Sequence, residues 1–252
     1  MKIALIGFGK MGQAIEQVAL ARRHQVVAKI DPAFAEAAAG RPDLFTEISA
    51  KSLNGAQVAI DFTHPQVVLQ NLQKLTKLKI PTVVGTTGWY EKLPEVKKFV
   101  AKNSGSVLYA GNFSVGVQAF YKIVADAAQI LFGKNFDVAI HETHHTGKAD
   151  APSGTAKEIA VLILKNFPSK KAILLDNAEQ PVPANKLQIS ASRVGKIFGI
   201  HEVTFDGSSD SIQLIHTSKN RDALASGAVA GAEWLVAKER KGLFEARDWL
   251  GF

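Results

Sequence analysis

The sequence contains no cysteine among its 252 residues. This absence excludes disulfides, thiolate nucleophiles and cysteine-ligated zinc sites. No apolar run approaches the roughly 20 residues that a helix needs to span a bilayer. The apolar stretch at residues 3–6 is also too short for a secretory signal peptide. We therefore expect a cytoplasmic, globular protein with no membrane partner.

The charge balance is basic, with 30 lysines and arginines against 23 acidic residues and a formal net charge of +7. The lysines are scattered, however, and no basic run is interleaved with aromatic residues as in nucleic-acid-binding segments. A moderate positive field also attracts small polyanions such as dinucleotides and dicarboxylates. We therefore expect small anionic ligands and no nucleic-acid partner.

The first half of the chain alternates short apolar runs with helical periodicity, which is typical of a parallel sheet with right-handed crossovers. The predicted strands lie at residues 2–6, 26–30, 58–63, 81–84 and 107–110. The predicted helices between them lie at 14–21, 67–78 and 93–102. This pattern indicates an α/β fold with an N-terminal Rossmann parallel sheet.

The second half has a different pattern, in which strands follow one another without helices between them. Helices at 115–132 and 155–166 and a strand at 138–140 precede strand-like runs at 187–193, 198–205 and 211–216, and a helix at 222–238. Consecutive strands predict a mixed or antiparallel sheet. We therefore predict a C-terminal α+β domain at 113–223 with a mixed open sheet, and a Rossmann domain at 1–112 plus 224–252.

A glycine-rich loop follows the first predicted strand and precedes a helix. Its residues match the G-x-G-x-x-G pattern: Gly7, Phe8, Gly9, Lys10, Met11 and Gly12. Such a loop turns tightly, lets the backbone approach a pyrophosphate and directs a helix N-terminus at it. Asp31 lies 19 positions after Gly12, close to the roughly 20 expected for a carboxylate that binds ribose hydroxyls. The sequence therefore predicts a dinucleotide site.

Small and polar residues follow three further predicted strands. They are Asp61-Phe62-Thr63, Gly85-Thr86-Thr87-Gly88 and Ala110-Gly111-Asn112-Phe113. In open α/β sheets, ligands bind beyond the carboxyl ends of the strands. The same residue types are also ordinary in turns. The sequence places these segments where a nicotinamide, a ribose or a substrate is expected.

A second group of polar residues is concentrated in one short segment. It contains His141-Glu142-Thr143-His144-His145, then Lys148, Asp150 and Pro152-Ser153-Gly154-Thr155. We predict no metal here, because His144 and His145 would point to opposite faces of a strand and lack the helical i, i+4 spacing. Ser153-Gly154-Thr155 opens a helix and so offers an anion site, while a histidine can deliver a proton near neutral pH.

The segment from Glu142 to Ala156 resembles the signature of the dihydrodipicolinate reductase family, E-x-H-H-x-x-K-x-D-A-P-S-G-T-A. Other segments occur in that family's order: Gly7 to Gly12, Asp61 to Thr63, Gly85 to Gly88, Asn112 to Gly116 and Gly227 to Val229. The resemblance covers the whole chain. It implies a homotetrameric enzyme of the diaminopimelate–lysine pathway that reduces a cyclic imine dicarboxylate to tetrahydrodipicolinate with NADPH or NADH.

The same resemblance implies roles for individual residues. His144 would be the proton donor or polariser, with Lys148 as its cationic partner. The substrate carboxylates would be held by Lys148 together with His145, Ser153, Gly154 and Thr155. The second domain would thus serve substrate binding and oligomerisation. The nicotinamide pocket would be lined by Gly85, Thr87, Ala110 and Phe113, with Phe62, Thr63, Thr86, Gly111 and Asn112 completing the cofactor site.

One departure concerns the cofactor. Some members of the family that use NADPH carry an arginine directly after the acidic residue of the second strand, where this chain has Pro32. Lys29 or Arg22 remain as candidates for binding a 2′-phosphate.

Two other interpretations of the protein's function stay open at this stage. One is a different imine or amino-acid dehydrogenase, and the other is a nucleotide-sensing regulator, for which the sequence offers no DNA-reading helix.

Overall fold

The structure, a computed structural model, describes residues 1–34, 42–175 and 181–252. The chain forms two compact units, one made of Met1–Val115 with Arg221–Phe252 and the other of Gly116–Asn220. Within the described ranges, no helix has both the length and the apolar character that a membrane crossing requires.

The first unit begins with alternating strands and helices. In chain order these are β1 (Lys2–Ile6), α1 (Lys10–Ala21), β2 (Gln25–Ile30), β3 (Leu44–Phe45), β4 (Val58–Asp61), α2 (Pro65–Lys77), β5 (Thr82–Val84), α3 (Leu93–Lys102) and β6 (Ser106–Tyr109). The predicted alternation is confirmed. The strand predicted to reach Thr63 ends at Asp61, because the Thr63 N–H bonds to the Asp61 carboxylate and the Thr86 hydroxyl.

The chain then builds the second unit and returns to the first. The following elements are α4 (Val115–Leu131), β7 (Asp137–His144), α5 (Gly154–Asn166), β8 (Ala172–Leu175), β9 (Lys186–Arg193), β10 (Gly199–Asp206) and β11 (Ser211–Ser218). The return to the first unit consists of α6 (Asp222–Ala237), β12 (Gly242–Glu245) and α7 (Ala246–Leu250). The predicted helices and long strands are confirmed within a few residues, whereas β3, β8, β12 and α7 were not predicted.

The sheet of the first unit has seven parallel strands in the order β12-β6-β5-β4-β1-β2-β3. Its register pairs Ile6 with Asp61, Asp61 with Val84 and Val84 with Tyr109. The carboxyl ends of β1, β4, β5 and β6 therefore lie side by side. The polar segments that follow these strands consequently meet at one edge of the sheet.

Both faces of this sheet are buried, which explains why its strands carry apolar residues on both faces. Ile3 and Ile60 face a core shared with α1 and α6, and alternate residues such as Val84 face a core shared with α2 and α3. Helix α6 can approach closely because it is rich in small residues: a Cβ on Gly227 would lie 1.7 Å from the Phe113 carbonyl oxygen.

The sheet of the second unit is mixed and has the order β11-β10-β7-β9-β8. Strand β10 is antiparallel to both of its neighbours, whereas β9 is parallel to β7 and to β8. Alternate residues of β7, including Ile140, pack with α4 and α5. The predicted fold class, a Rossmann sheet followed by an α+β unit with a mixed open sheet, is confirmed.

Candidate active site

The glycine loop lies between β1 and α1, as predicted. Gly7 has a φ of +82°, and a Cβ there would lie 2.5 Å from the Phe62 carbonyl oxygen. A Cβ on Gly12 would likewise lie 2.5 Å from the Gly7 carbonyl oxygen. Gly9, the N-cap of α1, has nothing within 4 Å of the equivalent position. The loop is thus tightly packed against its own sheet and open at Gly9, where a phosphate could approach the helix N-terminus.

Asp31 directly follows β2 and fixes this loop. One carboxylate oxygen accepts a 2.8 Å hydrogen bond from the Phe8 N–H, and the other accepts a 3.0 Å bond from the Ala33 N–H. Each oxygen keeps a further lone pair for a ligand hydroxyl. The carboxylate therefore stands beside the open part of the glycine loop, as a ribose-binding residue requires.

The two cations that the sequence offered near β2 are both paired with carboxylates. Lys29 Nζ lies 2.7 Å from Glu16 and 3.1 Å from Asp43. Burial opposes protonation of Lys29, but these two carboxylates outweigh it and raise its pKa. Arg22 is bound to Glu233 at 2.5 Å.

Buried Asp61 ties together the segments after β4 and β5. Its carboxylate accepts hydrogen bonds from the Thr63 hydroxyl at 2.6 Å, the Asn71 amide at 3.0 Å and the Thr86 hydroxyl at 3.2 Å. Burial raises the pKa of Asp61, although these hydrogen bonds act in the opposite direction. The network holds Thr63 and Thr86 at the edge of the sheet where the glycine loop also lies.

The remaining predicted cofactor residues are at the same edge, with different exposure. The Phe62 ring covers Gly85, where a Cβ would lie 2.1 Å from the ring. Thr87 and Gly111 are exposed, whereas Ala110 is buried. Asn112 accepts a hydrogen bond from the Ser114 N–H at 2.9 Å. Phe113 is fully buried, with its ring in the core and its carbonyl oxygen packed against Gly227.

In the second unit, β7 carries the histidine segment and ends at His144. The His144 side chain is 9% exposed, and its Nδ1 lies 3.0 Å from Oε2 of Glu142. Burial lowers the pKa of His144; Lys148 and Arg193 add to this effect, while Glu142 opposes it. The imidazole is therefore held mainly neutral near pH 7, beside a carboxylate.

Glu142 is completely buried and remains ionised. Its Oε1 accepts hydrogen bonds from the Ser153 N–H at 3.0 Å and from the Arg193 guanidinium at 2.9 Å. Burial alone would raise the pKa of this carboxyl group, but the hydrogen bonds from Ser153 and Arg193 outweigh burial and lower it, and a proton on His144 lowers it further. Glu142 is thus a fixed negative charge beneath the histidine.

Lys148 and Asp150 lie in the turn after β7. Lys148 Nζ donates to Asp150 at 2.6 Å, and the side chains of the two residues are 21% and 53% exposed. Burial disfavours ionisation of Asp150, but Lys148 outweighs it and lowers the Asp150 pKa. The pair is accessible enough for an incoming carboxylate to replace Asp150 at the ammonium group.

Ser153 is the N-cap of α5 and is buried. Its Oγ accepts a hydrogen bond from the Ala156 N–H at 3.2 Å and lies 3.0 Å from Nε2 of His201. Burial lowers the pKa of His201 to about 4, so this ring is neutral near pH 7 and its Nε2 can accept a hydrogen bond from the Ser153 hydroxyl. The polar atoms of Ser153 are therefore engaged within the protein. The next residues, Gly154 and Thr155, have amides without an acceptor inside the helix and are exposed and half-buried, respectively.

Two residues of this cluster, Arg193 and His201, were missed by the sequence analysis. Strand pairing places His144 beside Arg193 and Glu142 beside His201. The potential ligand atoms of Glu142, His144 and His201 lie within 4.8 Å of one another. Because Arg193 already neutralises that carboxylate, little negative charge remains to attract a divalent cation, and the prediction of no metal is retained. His145, just beyond the strand, is half-buried.

Comparisons with known proteins agree along the whole chain. Profiles described as the N-terminus and the C-terminus of dihydrodipicolinate reductase match residues 1–113 and 116–250. A 4-hydroxy-tetrahydrodipicolinate reductase from Christiangramia forsetii is 36% identical over 253 residues, covering 99% of this chain and 98% of that protein. A Staphylococcus aureus protein of the same name is 34% identical over 242 residues, covering 94% and 96%.

Solved structures agree as well. A dipicolinate-bound dihydrodipicolinate reductase from Paenisporosarcina sp. TG-14 has a TM-score of 0.77 and 25% identity, with 98% of each chain covered. A probable dehydrogenase from Thermotoga maritima has a TM-score of 0.62 at 10% identity, covering 99% of this chain and 92% of that one, and shares the fold alone. With both profiles matched and relatives above 30% identity over nearly the full length, the chain belongs to the dihydrodipicolinate reductase family.

Proposed function

We propose that this oxidoreductase is a 4-hydroxy-tetrahydrodipicolinate reductase, which reduces a cyclic imine dicarboxylate to tetrahydrodipicolinate in the diaminopimelate–lysine pathway. One observation carries the proposal. A buried histidine on a fixed carboxylate, an accessible lysine and an open helix N-terminus occur together in the second unit. These groups suit a substrate that carries two carboxylates and needs a proton, and they belong to the segment that resembles the family signature.

The substrate carboxylates would be bound by Lys148 and by the first turn of α5. A carboxylate would displace exposed Asp150 from Lys148, exchanging one ion pair for another. A second carboxylate would accept hydrogen bonds from the backbone N–H groups of Gly154 and Thr155, where the helix dipole favours negative charge. His145 adds a donor at the end of β7. Ser153 would act indirectly, because its hydroxyl and amide serve to shape this turn.

His144 would supply the proton. When bound, the reduced nicotinamide cofactor supplies the hydride, and the charge that results on the substrate must be neutralised by a proton. The two negative charges of the substrate oppose the effect of burial and so favour the protonated ring. Ionised Glu142 stabilises the same cation from the other side. The Lys148 ammonium would stabilise the charge that develops in the transition state.

The residues of the first unit fit a dinucleotide. The open position at Gly9 and the N-terminus of α1 would receive the pyrophosphate, and Asp31 would bind the ribose hydroxyls. The nicotinamide end would lie near the remaining predicted residues of the sheet edge, which are Phe62, Thr63, Gly85, Thr86, Thr87, Ala110, Gly111, Asn112 and Phe113.

We further propose that the enzyme uses NADH with a kcat/KM at least comparable to that for NADPH. Asp31 would repel a 2′-phosphate, Pro32 adds no charge, and Lys29 and Arg22 are already paired with carboxylates. The ratio of kcat/KM for the two cofactors tests this proposal. A preference for NADPH beyond about a hundredfold, or about 2.7 kcal/mol, would mean that another cation binds the 2′-phosphate.

We also propose a cytoplasmic homotetramer. The family resemblance and the open face of the second sheet support the assembly. On that face Ile200 is half-buried and Ile215 is 57% exposed in the single chain. Sedimentation velocity of the wild-type protein should give four times the monomer mass of 27.1 kDa. A monomer at micromolar concentration would contradict the assembly.

Calorimetry with dipicolinate, the molecule named in the Paenisporosarcina structure, tests the substrate class. We expect binding in the presence of NADH, weakened at least about tenfold by Lys148→Ala, because a charged partner is lost. Lys165→Ala is the matched control, since Lys165 is exposed at the far end of α5. If folded wild-type protein binds NADH but no dipicolinate, a different imine or amino-acid dehydrogenase becomes the better interpretation.

A further inference from the structure

We propose that Glu142 is a positioning residue for His144: its buried carboxylate holds the imidazole proton on Nδ1 and presents Nε2 as the atom that carries the catalytic proton. The inference rests on the proposed function, in which His144 donates a proton. It assigns a role to the first residue of the histidine motif, which the family resemblance left without one.

Two buried atoms of the cluster lie at hydrogen-bonding distance from each other. Nδ1 of His144 and Oε2 of Glu142 lie 3.0 Å apart. The angle between them is not that of a hydrogen bond, and neither atom has another hydrogen-bond partner within the described part of the chain. Leaving two such groups unsatisfied is costly. Catalytic hydrogen bonds are often misaligned in ligand-free enzymes and tighten when substrate binds, so these two atoms are poised to form one.

The other oxygen of Glu142 already accepts two hydrogen bonds. Oε1 binds both the Ser153 N–H and Arg193, which fixes the carboxylate in position and in its ionised state. An ionised carboxylate is only an acceptor. His144 must therefore offer Nδ1–H to it, which leaves Nε2 with a lone pair in the neutral ring and with a proton in the cation.

The other nitrogen of His144, Nε2, has a glycine beside it. Strand β10 passes this atom at Gly199, where a side chain would crowd it, because a Cβ would lie 2.8 Å from Nε2. The neighbouring ring of His201 meets His144 edge to face at a centroid distance of 5.1 Å. His201 is neutral near pH 7, because burial lowers its pKa to about 4, so it does not compete for the proton that His144 takes up.

The charges around His144 give the direction of the expected effect. Besides burial, Lys148 and Arg193 lower the pKa of the ring, whereas Glu142 and Asp150 raise it. Glu142 has the larger effect of the two carboxylates that favour protonation. Without its charge, His144 would take up its proton only at lower pH.

Glu142→Gln tests the proposal, because the side-chain amide keeps the shape and an acceptor for Ser153 and Arg193. We expect kcat at neutral pH to fall at least about tenfold, within the range of acid catalysis. The basic limb of the kcat–pH profile should move to lower pH by about one unit. The KM for the dicarboxylate and the NADH affinity should change little. A loss of the same size at every pH would overturn the proposal and leave a merely structural role.

Glu95→Gln is the matched control. Glu95 is exposed on α3 of the first unit, and its side chain contacts Gln73 rather than any residue of the cluster. This variant should leave both kcat and its pH profile unchanged. Glu142→Asp keeps the charge on a shorter arm, so it should lose rate but retain most of the position of the basic limb.

Nitrogen chemical shifts of His144 in the wild-type protein provide a test that does not depend on how the variants fold. The signals can be assigned by their loss in His144→Asn. We expect the neutral ring to carry its proton on Nδ1; a neutral ring protonated on Nε2 would overturn the inference. A different result would contradict the proposed function itself: wild-type turnover in His144→Ala would show that His144 does not donate the proton.

Discussion

Gly199→Ala perturbs the proposed proton donor without touching it chemically. Gly199 begins β10 and is buried, and its φ does not lie in the left-handed region. Alanine is therefore permitted by the backbone. The new Cβ, however, would lie 2.8 Å from Nε2 and 3.1 Å from Cδ2 of His144. The imidazole must move away to accommodate it.

The size of the effect follows from that distance. Ordinary contact begins at 3.4 Å, so the ring has to shift by at least about 0.6 Å, and the methyl group shields Nε2 as well. Misplacement of about 1 Å can cost a reaction roughly a hundredfold in rate. We expect kcat to fall about ten- to a hundredfold, measured with saturating NADH and dicarboxylate. The NADH affinity should be unchanged, because the dinucleotide residues belong to the first unit.

Gly133→Ala is a useful contrast to this variant. Gly133 has a φ of +74° and open space around the Cβ position. Alanine there should cost roughly 1 kcal/mol of stability through backbone strain and leave kcat intact. Wild-type kcat in folded Gly199→Ala would refute the assignment of Nε2 as the proton-carrying atom.

Other predictions test the remaining parts of the site. His144→Ala should lower kcat about a hundredfold or more with a modest change in KM, whereas Lys148→Ala should impair both parameters; turnover near wild type in either would contradict its role. Asp31→Ala should weaken NADH binding about tenfold in calorimetry, and unchanged affinity would remove it from the ribose site. Dialysis against EDTA should leave activity intact, and a loss restored by zinc would show a metal requirement. Because the His201 pKa is about 4 when folded and near 6.5 when unfolded, the unfolded state binds more protons in this window. Stability should thus fall by about 3 kcal/mol from pH 6.5 to pH 4, and by less in His201→Gln if this histidine is responsible.

Most strands of the first unit could be predicted because each contains a run of apolar residues without polar alternation, as in a parallel sheet that is buried on both faces. Val58–Asp61 and Ser106–Tyr109 are examples. Leu44–Phe45, with two residues, and Gly242–Glu245, with four, carry no such pattern. They are strands because neighbouring strands offer hydrogen-bond partners, and a local pattern does not contain that information.

The candidate site was only partly predictable for a related reason. Glu142, His144 and Lys148 are close in sequence, so their concentration was visible. Arg193 lies 51 positions from Glu142 and reaches it through the register between β7 and β9. The contacts of Ser153 were also invisible in the sequence: Glu142, His201 and Ala156 bind its polar atoms. The substrate contact that the family resemblance implies for Ser153 stays a prediction.

The central claim is tested most directly by one steady-state measurement. Purified protein is given freshly generated 4-hydroxy-tetrahydrodipicolinate with NADH or NADPH, and oxidation of the cofactor is followed while the product is identified by mass spectrometry. We expect cofactor oxidation that depends on the dicarboxylate, with tetrahydrodipicolinate as the product. We also expect NADH to be used at least comparably to NADPH. Protein that binds the cofactor but oxidises neither form with this substrate would contradict the account.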